Sequence, residues 1–131
     1  MSQATDRPTS LSNFRQAVVF DSVSSVALQS SLDGLALRQR AVADNIANVN
    51  TPNYTAKRVS FEAALAKSVA AGSGAVSATT QRSLEPTQLN GNNVNLDTET
   101  LSNIDTVLRF QFASQAVGGE ANAMRSVLRS N

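Results

Sequence analysis

Residues 45–54 read Asn45-Ile46-Ala47-Asn48-Val49-Asn50-Thr51-Pro52-Asn53-Tyr54, and this stretch decides the fold. Asparagine and threonine weaken a helix because their side chains compete for its backbone groups, and Pro52 turns Thr51 away from the α region. A helix arriving here ends near residue 49 or 50. Upstream, Leu28, Leu32, Leu35, Gln39, Val42, Ile46 and Val49 recur at alternating four and three spacing. That is a seam of heptads with one polar interruption, the pattern of a helix packed lengthwise on another. Ala36, Leu37, Ala43 and Ala47 widen the apolar face, giving room for more than one neighbour. Asp21-Ser22 or Ser24-Ser25 offers the N-cap.

Past the helix, Thr51-Pro52-Asn53-Tyr54 has Pro and Asn in the second and third turn positions. Asparagine tolerates positive φ, so a type II turn fits. Lys57-Arg58-Val59-Ser60-Phe61 reads as an extended piece with Val59 and Phe61 on one face, and Phe61 to Ala71 as a short helix. Residues 72–95 are rich in Gly, Ser, Thr and Asn and read as a loop or loose hairpin. Asp97, or a box at Ser102 and Asp105, caps a last helix whose apolar positions include Leu101, Ile104, Leu108, Phe112, Ala116, Ala123 and Val127. Gly118-Gly119 interrupts it, marking a bend or the close approach of a neighbour. The fold class is therefore mainly α: two long N- and C-terminal helices packing as a coiled-coil-like pair, with a partly irregular middle containing short extended pieces. The units are a flexible segment over 1–22, a helix over 23–50, a turn, short helix and loop region over 51–95, and a helix over 96–131.

Composition restricts the chemistry. The 131 residues include five Phe, one Tyr and no Trp, so the core is thin. Net charge is +1 without a run of either sign, which argues against a nucleic-acid footprint or a membrane-surface patch. The chain has no Cys and no His, which removes thiolate nucleophiles, imidazole bases, the usual zinc sites and disulfides. The early apolar run Ala17-Val18-Val19-Phe20 is too short for a signal peptide, and no stretch is long and apolar enough to span a bilayer. The close pair Asp97 and Glu99 suits a helix N-terminus better than acid–base work. Gly72-x-Gly74 lacks the lysine of a phosphate loop. Lys57-Arg58 faces solvent on this reading, and Arg125 and Arg129 complement a helix C-terminus. Gln39 is either an amide reaching water at the seam edge or a register selector. Asn45 and Asn48 either end the helix unaided or bridge to the backbone of a partner. No catalytic, cofactor-binding or metal-binding residue emerges, so the chain reads as a non-enzyme.

Residues 32–54 strongly resemble the N-terminal signature of bacterial flagellar rod and hook proteins, in which an N-I-A-N helix end precedes a T-P-G-Y turn. Asn45, Ile46, Ala47, Asn48, Thr51, Pro52 and Tyr54 carry the resemblance, with Asn53 where the family usually has glycine. Gly91-Asn92-Asn93-Val94-Asn95-Leu96-Asp97-Thr98-Glu99 adds to it, and within the family the chain is most similar to the proximal rod subunit. The resemblance implies export through the flagellar type III gate and polymerisation in the periplasmic space into the hollow axial shaft of the basal body. It implies homo-oligomeric contacts within the rod. The other rod proteins FlgC and FlgF, the adaptor FliE, the MS-ring protein FliF and the export gate complete the implied neighbours. It implies no cofactor, no nucleic acid and no membrane insertion. The subunit-packing residues would be Leu28, Leu32, Leu35, Gln39, Val42, Ile46, Val49, Leu101, Ile104, Leu108 and Phe112. Alternatives are another rod subunit such as FlgC, or a secreted helical binding module that does not polymerise.

Overall fold

A computed structural model of the chain describes residues 10–129. The elements run α1 (Ser10–Ala47), β1 (Lys57–Ser60), α2 (Glu62–Ala70), β2 (Thr79–Arg82) and α3 (Leu96–Arg129). Two long helices and an irregular middle make up the architecture that the periodicity predicts, and the middle carries a two-stranded ribbon.

α1 begins at Ser10, well before residue 23, and passes through Asp21-Ser22 and Ser24-Ser25, which therefore do not cap it. No Gly or Pro occurs between Pro8 and Gly34, so nothing in that stretch breaks a helix. The part of the expected flexible segment over residues 1–9 lies outside the described residues. At the other end α1 closes as the asparagines dictate. The Asn48 amide donates to Asp44 O at 3.1 Å and its side chain adds a second bond to that carbonyl at 2.8 Å. Asn53 adopts φ 62°, the left-handed conformation the turn reading requires, and Tyr54 N donates to Thr51 O at 3.3 Å to close the turn.

β1 and β2 pair antiparallel, with Lys57 opposite Arg82 and Ser60 opposite Thr79. Val59 and Phe61 are buried, on one side as their alternation predicts, and join Leu35 and Ala41 in a small core. Leu37, Leu65, Ala78 and Phe110 pack around it. Gly34 exists for Phe61: a β-carbon there would lie 2.5 Å from the ring.

α3 runs antiparallel to α1. Its first turn lies beside Asn45, while Ala113 and Ala116 share a groove with Leu28 and Ser31. Its N-cap is Asn95, not Asp97: Asn95 Oδ1 accepts the amides of Asp97 at 3.0 Å and Thr98 at 3.4 Å. Ser102 and Asp105 lie inside the helix, with Asp105 paired to Arg109 at 2.8 Å. α3 continues unbroken through Gly118 and Gly119, and a β-carbon at either would meet nothing within 4 Å.

Candidate functional site

The signature stretch and the asparagine-rich segment before α3 meet in one polar joint. Asn45 is fully buried. Its Nδ2 donates to Lys57 O and to Glu99 Oε2, each at 3.0 Å, and its Oδ1 accepts Lys57 N at 2.8 Å and the Tyr54 hydroxyl at 3.3 Å. That uses both donors and both lone pairs of a primary amide. The reciprocal pairing with the Lys57 backbone imitates a strand neighbour, so Asn45 anchors the start of β1 to the end of α1.

Asn92 and Asn93 repeat the device from the other side. Asn92 Nδ2 donates to Asn48 O at 2.9 Å and Thr51 O at 2.8 Å, while its Oδ1 accepts Val94 N at 2.8 Å. Asn93 Oδ1 accepts Ala56 N at 2.6 Å, and its Nδ2 donates to the carbonyls of Ser83 and Glu85. Asn53 N donates to Asn90 O at 2.9 Å. Among the described residues no buried side-chain nitrogen or oxygen lacks a partner. Burying so many amides is tolerable only because each is satisfied.

Charge completes the joint. Glu99, fully buried, accepts from Arg58 Nη1 at 2.6 Å as well as from Asn45, and Arg58 reaches Glu85 at 3.3 Å. Glu99 therefore ties α3 to β1, a stronger constraint than the helix-dipole role its position suggested. Lys57 pairs with Asp44 at 3.1 Å. A second clamp joins α1 to α2: Arg38 forms paired bonds to Glu62 at 2.5 and 2.9 Å, donates to Val59 O at 2.8 Å and lies 4.9 Å from the Phe61 ring centre. That hydrogen-bonded guanidinium holds the Glu62 carboxyl at about 2, below its ordinary 4.5, against the upward push of partial burial.

The expected packing residues divide. Leu35 and Val42 are buried within the chain, Leu28, Leu32, Gln39 and Val49 are half-buried, and Ile46 is 40% exposed. On α3 the order of faces is inverted. Glu99, Thr106 and Ala113, seven residues apart, are the buried positions among the described residues, whereas Leu101, Ile104, Leu108 and Phe112 are 69%, 52%, 60% and 77% exposed. At a helical turn of 100° per residue the two sets point to opposite sides of α3. Leu108 and Phe112 also border an apolar groove of about 790 Å³ floored by Leu35, Phe61 and Leu65 and flanked by Leu28 and Val69.

Of the signature residues, Asn45, Asn48 and Tyr54 hold the joint from within, while Ile46, Ala47, Thr51 and Pro52 remain exposed. Arg38, Arg58, Asn92, Asn93 and Glu99 act in the two clamps without having been singled out for it. For Asn92 and Asn93 the signal in the sequence was an unusual density of asparagine on both sides of the middle segment; nothing in the sequence marked Arg38, Arg58 or Glu99 for these contacts. The described residues hold no cluster of three or more potential metal ligands and no helix long and apolar enough to cross a membrane.

The fold thus joins a helix exit to a helix start through a saturated amide joint and leaves an apolar face of α3 turned outward. Residues 27–55 match the family described as "Flagella basal body rod protein". The flagellar basal body rod protein FlgB of Escherichia coli K12 is 32% identical over 124 residues, covering 78% of this chain and 90% of the relative. FlgB of Bacillus subtilis 168 is 28% identical over 118 residues, covering 77% and 89%. FlgB of Borrelia hermsii is 55% identical over 38 residues, covering 29% and 28%. The chain belongs to the FlgB family of flagellar basal body rod proteins.

Proposed function

We propose that this chain is a structural subunit of the proximal rod that polymerises through its terminal helices, using the outward face of α3 as its main contact with neighbouring subunits. The observation that carries the reading is the inverted amphipathicity of α3, with Leu101, Ile104, Leu108 and Phe112 exposed and Glu99, Thr106 and Ala113 buried. Covering a large apolar side chain yields about 1.5–3 kcal/mol, so four of them along one helix favour association once a partner helix is supplied. The half-buried and exposed seam residues of α1, Leu28, Leu32, Gln39, Val49 and Ile46, complete the contact, and the terminal helices order fully only there.

In this reading the subunit reaches the periplasmic space through the flagellar type III export gate. Its neighbours are further copies of itself, FlgC and FlgF, the adaptor FliE and the MS-ring protein FliF. No reaction is catalysed; the FlgB relatives are rod proteins by name. The work of the subunit is to transmit torque and to leave a channel for later subunits.

The test is Phe112→Asp combined with Leu108→Asp in the native host, followed by swimming assays, electron microscopy of basal bodies and immunodetection of exported subunit. Export without assembled rods is the expected result. Normal motility would show that this face is not a subunit contact.

A further inference from the structure

Asn90-Gly91 is the only asparagine–glycine pair in the sequence. Glycine has no β-carbon to shield its nitrogen, so the Gly91 nitrogen can approach the Asn90 side-chain carbonyl carbon more readily than that of a residue with a side chain. Asn90 is exposed to water. Its Oδ1 accepts Asn92 N at 3.1 Å, which folds the side chain back over the Gly91 peptide and polarises its carbonyl. The attacking group, by contrast, is restrained: Gly91 N donates to Gln88 O at 2.9 Å, and Asn90 O is held by Asn53 N.

We propose that Asn90 is a site of spontaneous modification, converting to aspartate or isoaspartate, and that the folded loop restrains the conversion while an open loop permits it. The Gly91 nitrogen loses its proton to hydroxide and bonds to Asn90 Cγ, and the bond from Cγ to the side-chain nitrogen breaks as ammonia leaves. Water then opens the resulting five-membered imide at either carbonyl, giving aspartate or, with the main chain rerouted through Cβ, isoaspartate. The rerouted backbone is one methylene longer. There is no slack for it, because Gly91, at φ 81°, lies so close to Asn53 that even a β-carbon would collide. The isoaspartyl chain loses the Asn53–Asn90 bond that ties the loop to the signature turn, whereas the aspartate form keeps it.

The full-length chain is incubated in mildly alkaline buffer, with and without urea, and followed by peptide mass spectrometry and by labelling with an isoaspartyl methyltransferase. The peptide containing Asn90 gains the mass of an amide-to-acid exchange before any other asparagine does, severalfold faster in urea. Asn90→Gln abolishes labelling of that peptide in both conditions; the urea arm reads the chemistry whether or not the variant folds. Earlier conversion of another asparagine in urea overturns the site. Equal rates with and without urea overturn the restraint by the fold.

Discussion

The side-chain amide of Asn45 donates to the carboxylate of Glu99 at 3.0 Å, with both side chains sealed from solvent and 54 positions apart in the chain. This single contact joins the exit of the first helix to the entry of the last. Removing one partner of a buried hydrogen-bonded pair strands the other without water. Asn45→Ala is therefore expected to cost about 1–3 kcal/mol, read as a lower urea midpoint at unchanged slope. An unchanged midpoint would mean that the joint contributes little to folding.

Two glycines in helices should respond in opposite directions. Gly34→Ala sets a methyl against the Phe61 ring, and overpacking of this kind costs about 1–3 kcal/mol, more than the propensity gain returns. Gly118→Ala enters open space and should stabilise the monomer by up to about 1 kcal/mol. Thermal unfolding of both variants decides the matter, and a shift of the same sign in the two would contradict the packing described.

The Arg38–Glu62 clamp predicts an acid response. Glu62 sits at about 2 in the folded chain against an ordinary 4.5. Because its folded value is depressed, the clamp contributes fully above pH 4.5 and its contribution is lost as pH falls toward 2. Glu62 is partly open to solvent, so the effect is modest. Arg38→Met should flatten the loss of stability across that window. An acid limb identical to that of the unaltered protein would remove Glu62 from the explanation.

Ile46 lies beside the joint yet stays 40% exposed. Ile46→Asp should block rod assembly while lowering monomer stability only modestly, by about 1 kcal/mol. Part of its surface is covered, and an acid in the last turn of α1 opposes the helix dipole. Motility assays together with equilibrium unfolding separate the two effects. A large drop in stability would place Ile46 in the fold, not in an assembly contact.

The helices were legible because their apolar repeats run over many turns, and the turn was legible because Pro52 and Asn53 leave few conformations open. β2 was not: Thr79-Thr80-Gln81-Arg82 is exposed throughout, so burial imposes no alternation on it. The early start of α1 was missed because the polar residues before residue 23 resemble caps, although no breaker separates them. The joint was invisible for another reason. Asn45, Asn92 and Glu99 each have an adequate local explanation, as helix terminator, loop residue and dipole partner. Only the chain's return brings them together. Likewise, spacing marks Leu101, Ile104, Leu108 and Phe112 as one stripe but carries no information about which side of α3 the chain's own α1 will occupy.

Gly118 and Gly119 give α3 a mechanical property distinct from its packing. A helix resists flexure through its hydrogen-bonded turns and the side chains crowded along them, and two adjacent glycines with nothing beside them remove the second contribution. α3 is thus a beam with one compliant point. Flexing residues 120–129 against the part held at Glu99 should therefore cost less here than elsewhere along the helix. In the proposed rod, that compliance would let subunits of identical sequence meet surroundings of unequal geometry without unfolding.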